Sequence, residues 1–152
     1  MVEIEKIAGH IYKLYEERFH QKIDEMKLHK LLYFLQREHY VVNRTPLFSE
    51  KFNAYQFGPV SLKVRDSYKS GNIAKDNLSE EMIYQLHDLI EQVFTKYAGK
   101  SSWTLSSITH GEQSWIRAIK RSKINGEPSI MLDEDIKEDA IRIKLRRMLS
   151  IN

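Results

Sequence analysis

The segment from Ile23 to Asn43, IDEMKLHKLLYFLQREHYVVN, constrains the fold more than any other part of the sequence. Projected as a helix at about 100° per residue, it is apolar over most of its circumference. Such a helix is expected to lie at the centre of the molecule, with neighbours on several sides. The projection leaves Lys30 and Arg37 pointing away from the apolar side. That side comprises Leu28, Leu31, Leu32, Leu35, His39 and Val42, flanked by Tyr33 and Tyr40 on one edge and by Phe34 and Val41 on the other.

Short polar residues and glycines predict where the helices begin and end. Asp24 is expected to cap the central helix and Asn43 to end it. Ser79 is expected to cap a long amphipathic helix that ends at Gly99, and Asp133 to cap a last helix near the C-terminus. Apolar periodicity and turn signals predict further helices over 2–19, 102–109 and 112–121.

The stretch AYQFGPVSLKV, Ala54 to Val64, joins an extended segment to a helix. The aromatic residues from Phe52 to Phe57 predict a short two-stranded piece or a single extended segment. Gly58-Pro59 is expected to begin a helix ending near Ser70, with Gly71 as its cap, because proline suits the first helical position. The sequence thus predicts a mainly α fold: one domain over residues 1–152, a compact bundle of six or seven helices around a central hydrophobic helix, with a small β or extended insertion.

Composition narrows the function classes. The chain has 152 residues and no cysteine, which excludes disulfides and thiolate zinc sites and fits a reducing cytoplasm. Its charged N-terminus does not resemble a signal peptide, and no window is apolar enough to span a membrane. The 24 Lys and Arg against 21 Asp and Glu give a net charge of +3, too mild and mixed to indicate nucleic-acid binding.

Motifs for catalysis or metal binding are not found in the sequence. None of the six histidines has a second histidine three or four residues away, and no HExxH occurs. No Gly-rich phosphate loop, Gly-x-Ser-x-Gly elbow or EF-hand spacing is present. We therefore expect a protein that is not an enzyme and holds no metal and no cofactor.

Two short segments have both a structural and a functional interpretation. In an extended segment, Phe52 and Ala54 face one way while Tyr55 and Phe57 face the other, so one aromatic set is exposed if the other is buried. In THGEQSW, Thr109 to Trp115, the favoured interpretation is a helix-helix corner with Trp115 packed beneath it and His110 bonded to backbone. The alternative is that this corner belongs to a binding surface.

Three segments in a fixed order resemble the Panacea domain, which occurs in bacterial and phage antitoxins and in phage-associated proteins. They are KLHKLLYFLQREH, PLFSEKFNAYQFGPV and THGEQSW. Ser114 precedes Trp115 where the family often has proline, which alters the local turn. The matching positions are Lys27, Leu28, Lys30, Leu31, Leu32 and Tyr33; Pro46, Leu47 and Phe48; Ala54, Tyr55, Gly58, Pro59 and Val60; and Thr109, His110 and Trp115.

The resemblance implies an antitoxin that neutralises a cognate toxin by direct protein contact and is encoded beside it. Such a protein needs an exposed surface with aromatic and arginine anchors and no catalytic group. Gly58, Pro59 and Val60 are expected to be structural. The candidate partner-binding residues are Lys30, Arg37, Phe48, Tyr55, Gln56 and Phe57.

Other functions stay open. Some members of the family look like adaptors that deliver the toxin to a protease, which would then be a second partner. A nucleic-acid-binding regulator, a phage accessory protein without a toxin, and a small enzyme acting through His110 are the remaining alternatives.

Overall fold

The computed structural model describes residues 1–150. Over this range it contains eight α-helices and one two-stranded antiparallel sheet, which confirms the predicted mainly α bundle with a small β insertion. A 3₁₀ turn at Ile73–Lys75 and a π-helical turn at Phe94–Ala98 complete the secondary structure. The elements are α1 (Ile4–Phe19), α2 (Glu25–Asn43), β1 (Asn53–Tyr55), β2 (Gly58–Val60), α3 (Leu62–Lys69), α4 (Glu80–Gln85), α5 (His87–Val93), α6 (Ser102–His110), α7 (Gln113–Asn125) and α8 (Asp133–Leu149).

Helix α2 is the central helix, as its apolar circumference predicts. It packs against α1, α3, α5, α6, α8 and β2, and every residue from 27 to 38 is buried. The Asp24 carboxylate accepts a hydrogen bond of 2.8 Å from the Lys27 amide and caps the N-terminus. The helix ends at Asn43, and Arg44 follows in the left-handed conformation with φ 62°. Both predicted ends of this helix are therefore confirmed.

The helical projection was wrong about which side chains of α2 reach solvent. Lys30 and Arg37 are each 1% exposed, because α6, β2, α8 and the π-helical turn cover the side they were expected to show to solvent. Val42, assigned to the apolar face, is exposed in the last turn. Phe48, expected at a partner surface, is fully buried and packs edge-on against Phe52, with ring centroids 5.8 Å apart.

The joint at Gly58-Pro59 is a strand and not the start of a helix. Tyr55 pairs with Gly58, which leaves a two-residue turn at 56–57. Gly58 has φ +122°, a conformation that no helix contains and that L side chains rarely adopt. Helix α3 begins only at Leu62, because the Ser61 hydroxyl accepts a hydrogen bond from the Val64 amide and caps it there. The two-stranded piece is confirmed, and the helical start at Pro59 is wrong.

Other helices also differ from expectation. Helix α7 continues to Asn125, past the predicted end at 121. The helix predicted from Ser79 to Gly99 bends at Leu86, where ψ is 3°, and widens into the π-helical turn. Ser79 does cap α4. Asp133 lies inside the first turn of α8 and makes no cap bond, because its carboxylate pairs with Lys51. Helix α3 ends at Lys69 with Ser70 as its cap, one residue before the predicted Gly71.

Candidate partner-binding site

The hairpin formed by β1 and β2 lies over α2 and is bordered on its other edge by residues 129–131. The Ala54 amide donates to the Ser129 carbonyl at 2.9 Å, and the Met131 amide donates to the Phe52 carbonyl at 2.8 Å. Phe52 and Ala54 are buried, whereas Tyr55 is half-buried and Phe57 is 43% exposed. Of the two aromatic sets predicted in this segment, the one containing Tyr55, at the end of β1, and Phe57, in the turn, is therefore the more exposed.

Three successive carbonyls at the tip of the hairpin are each held by a side chain of α6 or α7. The Trp115 indole N–H donates to the carbonyl of Tyr55 at 2.9 Å, and His110 Nε2 donates to that of Gln56 at 2.8 Å. The Ser106 hydroxyl donates to the carbonyl of Phe57 at 2.7 Å. The rings of His110 and Trp115 stack with centroids 4.2 Å apart. His110 and Trp115 thus stack on each other at the corner between α6 and α7. The backbone carbonyls to which they donate hydrogen bonds belong to the hairpin tip.

An open pocket of about 430 Å³ lies between the hairpin tip and α2. Four of the six candidate partner-binding residues line it. The same wall includes Met26, His29 and Val60, so the lining is largely apolar and aromatic. The four candidates are Lys30, Tyr55, Gln56 and Phe57.

Two residues that the sequence interpretation missed extend this surface. Trp103 of α6 is 62% exposed and packs edge-on against Phe57, with ring centroids 5.2 Å apart. The Arg65 guanidinium lies over the Tyr55 ring at 5.1 Å, within the range of a cation–π contact. We call Tyr55, Gln56, Phe57, Trp103 and Arg65 the hairpin-tip surface. The mostly polar composition of α6 and α3 gave no signal in sequence that these two residues would meet the hairpin.

On the wall of the pocket opposite the hairpin tip, Glu25 and Arg65 lie beside His29, which is neutral at pH 7. Glu25 accepts hydrogen bonds from His29 Nε2 at 2.8 Å and from Arg65 Nε at 3.1 Å. His29 Nδ1 accepts the Ser61 amide at 3.2 Å, which fixes the tautomer protonated on Nε2. Burial lowers the pKa of His29 to about 4, so the ring is neutral at pH 7.

The Lys30 ammonium has no such partner. Within residues 1–150 it makes no hydrogen bond and no ion pair within 4 Å, although the side chain is almost wholly buried and the charge of Asp24 acts on it. Its end lies against Gly58, where a Cβ would come within 3.1 Å of Nζ. Burial lowers the pKa of Lys30 to about 8, so the group still carries its charge at pH 7.

Arg37 belongs to a separate buried network that joins α2 to the helices around it. Its guanidinium donates to Glu112 at 2.7 Å and to the Tyr97 hydroxyl at 2.7 Å. The Tyr33 hydroxyl lies 3.0 Å from a carboxylate oxygen of Glu112 and 3.0 Å from one of Asp139. Burial raises the pKa of the Glu112 carboxyl. Arg37 is thus placed to stabilise the fold.

A second cleft of about 510 Å³ opens above this network and carries mixed charge. Glu112 and Asp139 lie among the cationic side chains that line it, so it is not a continuous basic surface of the kind that nucleic-acid binding favours. No helix within the described residues is long and apolar enough to cross a membrane. Nor do three or more His, Asp or Glu side chains of residues 1–150 converge on a metal-sized site. The cationic residues of the cleft are Arg37, Lys96, Lys100, Arg142 and Arg146.

The fold and the site define a mainly α protein in which a short hairpin is fastened to a central helix and presents an aromatic surface. The antitoxin SocA-like, Panacea domain family model matches residues 28–116, more than half of the chain. The chain therefore belongs to the antitoxin SocA-like, Panacea domain family, which confirms the resemblance seen in its motifs. Searches of curated proteins and of solved structures found no significant match.

Proposed function

We propose that this protein is an antitoxin that neutralises a cognate toxin by binding it directly through the hairpin-tip surface. Membership of an antitoxin-like family implies a toxin partner in general. The observation that carries the proposed surface is an exposed aromatic pair: Phe57, on a hairpin whose backbone is already fixed, and Trp103 of α6, which packs against it. Exposed aromatic side chains on rigid backbone are the residues that most often dominate binding energy, since little conformational entropy is lost on association.

Neutralisation by binding needs no catalytic group, and the role of His110 at the hairpin tip supports a non-enzymatic protein. Its Nε2 is engaged by the Gln56 carbonyl and its ring by Trp115. We take residues 1–152 as the single domain that performs this function, because α1 and α8, at opposite ends of the chain, both pack on α2.

The test is co-expression with the product of the adjacent reading frame, scored by growth rescue and by co-elution in size exclusion. We expect the wild-type chain to rescue growth and to form a stable complex. Replacing both Phe57 and Trp103 by alanine should abolish rescue and weaken binding by roughly thirtyfold or more, the loss expected for interface hot spots. The matched control is Tyr84→Ala on α4, an aromatic residue that is 85% exposed and lies outside the pocket.

The outcomes separate the alternatives. Rescue by the double alanine variant, with its unfolding curve unchanged, would reject the proposed surface. Rescue without a stable complex, lost when a host protease is deleted, would identify a proteolytic adaptor. A harmless neighbour that does not co-elute would reject the antitoxin function and favour a regulator or an accessory protein.

A further inference from the structure

The Lys30 ammonium lines a pocket open to solvent without a protein partner, although buried charges in folded proteins are nearly always paired. Lys27, one turn earlier on α2, shows the usual arrangement. It is also buried, but its ammonium donates to the Tyr15 hydroxyl at 3.1 Å and to the Ala98 carbonyl at 3.0 Å. The contrast within one helix singles out Lys30 as the lysine whose ammonium faces the open pocket instead of acceptors of the chain.

We propose that the pocket beneath the hairpin tip receives one acidic side chain of the partner protein, whose carboxylate pairs with Lys30 while the neighbouring partner residues pack on Phe57 and Trp103. The inference rests on the proposed function, since it specifies the chemistry of the toxin segment that the hairpin-tip surface binds.

The charge of the pocket favours a single carboxylate. Among the residues that line the pocket, Lys30 and Arg65 contribute two positive charges, Glu25 contributes one negative charge, and His29 is neutral at pH 7, which gives +1. The charge of Asp24, which lies outside the lining, also acts on Lys30, so an incoming group needs to supply no more than one negative charge. A phosphate group would bring excess negative charge close to Glu25, and like charges in a partly desolvated pocket repel.

The lining favours a peptide segment over a free ion. Tyr55, Phe57, Val60 and Met26 provide apolar surface on which the stem of a glutamate and the side chains next to it can pack. The backbone at Gly58 packs closely against the end of Lys30, since a Cβ there would come within 3.1 Å of Lys30 Nζ and 2.8 Å of Thr109 Oγ1. The backbone carbonyls of the tip already accept hydrogen bonds from α6 and α7. These carbonyls therefore compete less with an incoming carboxylate for a hydrogen bond from the Lys30 ammonium.

The test uses two capped tripeptides, acetyl-Phe-Glu-Phe-amide and its Gln counterpart, titrated into the full chain at pH 7. Binding is followed in the wild-type chain by NMR shifts of the Lys30 side chain and of the Trp103 indole N–H, which leaves the Trp115 contact with the hairpin tip intact. We expect the Glu peptide to bind at least about tenfold more tightly than the Gln peptide, the preference that one charge-assisted hydrogen bond provides. Lys30→Met should remove that preference, whereas Lys120→Met, on the exposed face of α7, should leave it intact.

Equal affinity for the two peptides, no binding of either, or a preference of the site for inorganic phosphate over the Glu peptide would each overturn the inference. The same variants are then measured against the product of the adjacent reading frame. If Lys30→Met binds that product as tightly as wild type, the carboxylate pocket is rejected and the antitoxin function stands. If the Glu peptide binds through Lys30 but the product does not bind at all, the pocket stands and the proposed function is rejected.

Discussion

At the scale of single residues, replacing either of two buried lysines on α2 is expected to change the free energy of unfolding in opposite directions. Lys27 has two hydrogen-bond acceptors and lies 5.0 Å from the Tyr15 ring centroid, whereas Lys30 has no partner in the described chain. Lys27→Met should lower the free energy of unfolding by about 1–3 kcal/mol, because buried acceptors lose their donor. Lys30→Met should raise it by roughly 1–3 kcal/mol, because an unpaired charge is removed. Urea unfolding at pH 7 measures both, and equal losses would show that the folded chain does pair Lys30.

Lys30→Met is thereby expected to be more stable and to bind its partner less well. That combination is typical of residues retained for function at a cost in stability. It also separates a binding role for Lys30 from a purely structural one, which would predict that stability and binding fall together.

His29 predicts a loss of stability in mild acid. Its pKa is lowered from 6.5 in the unfolded chain to about 4, mainly by burial. Between these values the unfolded chain binds a proton that the folded chain does not, so stability falls as the pH falls from about 6.5 to 4. One proton corresponds to about 1.4 kcal/mol per pH unit and to roughly 3 kcal/mol over the window. Unfolding free energies measured across this range should show the slope, and His29→Gln should flatten it; an equal slope in both would assign the effect to other groups.

The helical projection predicted that α2 is the central helix, but it did not predict that its charged side chains are buried. A helical projection assumes that a charged side chain faces solvent, and most charged side chains in proteins do. Arg37 is buried because Glu112, 75 positions away, and Tyr97, 60 positions away, supply its acceptors. Those partners depend on tertiary packing, which periodicity within one helix does not encode.

At the scale of elements, the hairpin tip depends on the backbone at Gly58. An alanine there would combine a strained φ of +122° with a Cβ 2.8 Å from Thr109 Oγ1. Gly71 provides a matched control, since it also has a positive φ, +79°, but a Cβ there would have no neighbour within 4 Å. Gly71→Ala should cost about 1–3 kcal/mol from backbone strain alone, and Gly58→Ala should cost more. Equal losses in thermal or urea unfolding would show that the contact with α6 carries no energy.

The hairpin also shows where sequence interpretation of an element fails. Its aromatic alternation predicts a two-stranded piece or a single extended segment, and the structure has the first. Gly58-Pro59 predicts a helix start, because proline suits a first helical turn, and that prediction is wrong. Pro59 instead occupies β2, the edge strand of a two-stranded sheet, where the missing N–H is tolerated. Ser61, two residues later, was the residue whose side chain marked the true start of α3.

At the scale of the whole molecule, the three family motifs contact one another, at the hairpin tip and in the buried network around Arg37. The second contributes the hairpin tip, the third holds that tip through His110 and Trp115, and Glu112 of the third motif accepts from Arg37 of the first. The order of these motifs could be seen in sequence, and with it the family. Their contacts could not, nor could the contribution of Trp103 and Arg65, which lie outside all three motifs.

The buried network around Arg37 gives the last prediction, because it connects distant parts of the chain. Arg37 reaches Glu112 just before α7 and Tyr97 in the π-helical turn, while Arg147 of α8 pairs with Glu38 beside it at 2.6 Å. Removing one member of a buried ion pair leaves an uncompensated charge and typically costs 3–5 kcal/mol, so Arg37→Met should lower the free energy of unfolding by about that amount.

The exposed pair of Arg18 and Glu91 is the matched control, since its side chains are 40% and 32% exposed. Arg18→Met should cost no more than about 1 kcal/mol, because solvent screens such pairs. The double variant Arg37→Met with Glu112→Gln should cost less than the two single changes added together, because removal of both charges leaves neither of them buried alone. Strict additivity in urea unfolding, or a loss at Arg37 as small as that at Arg18, would show that the network does not hold the helices together.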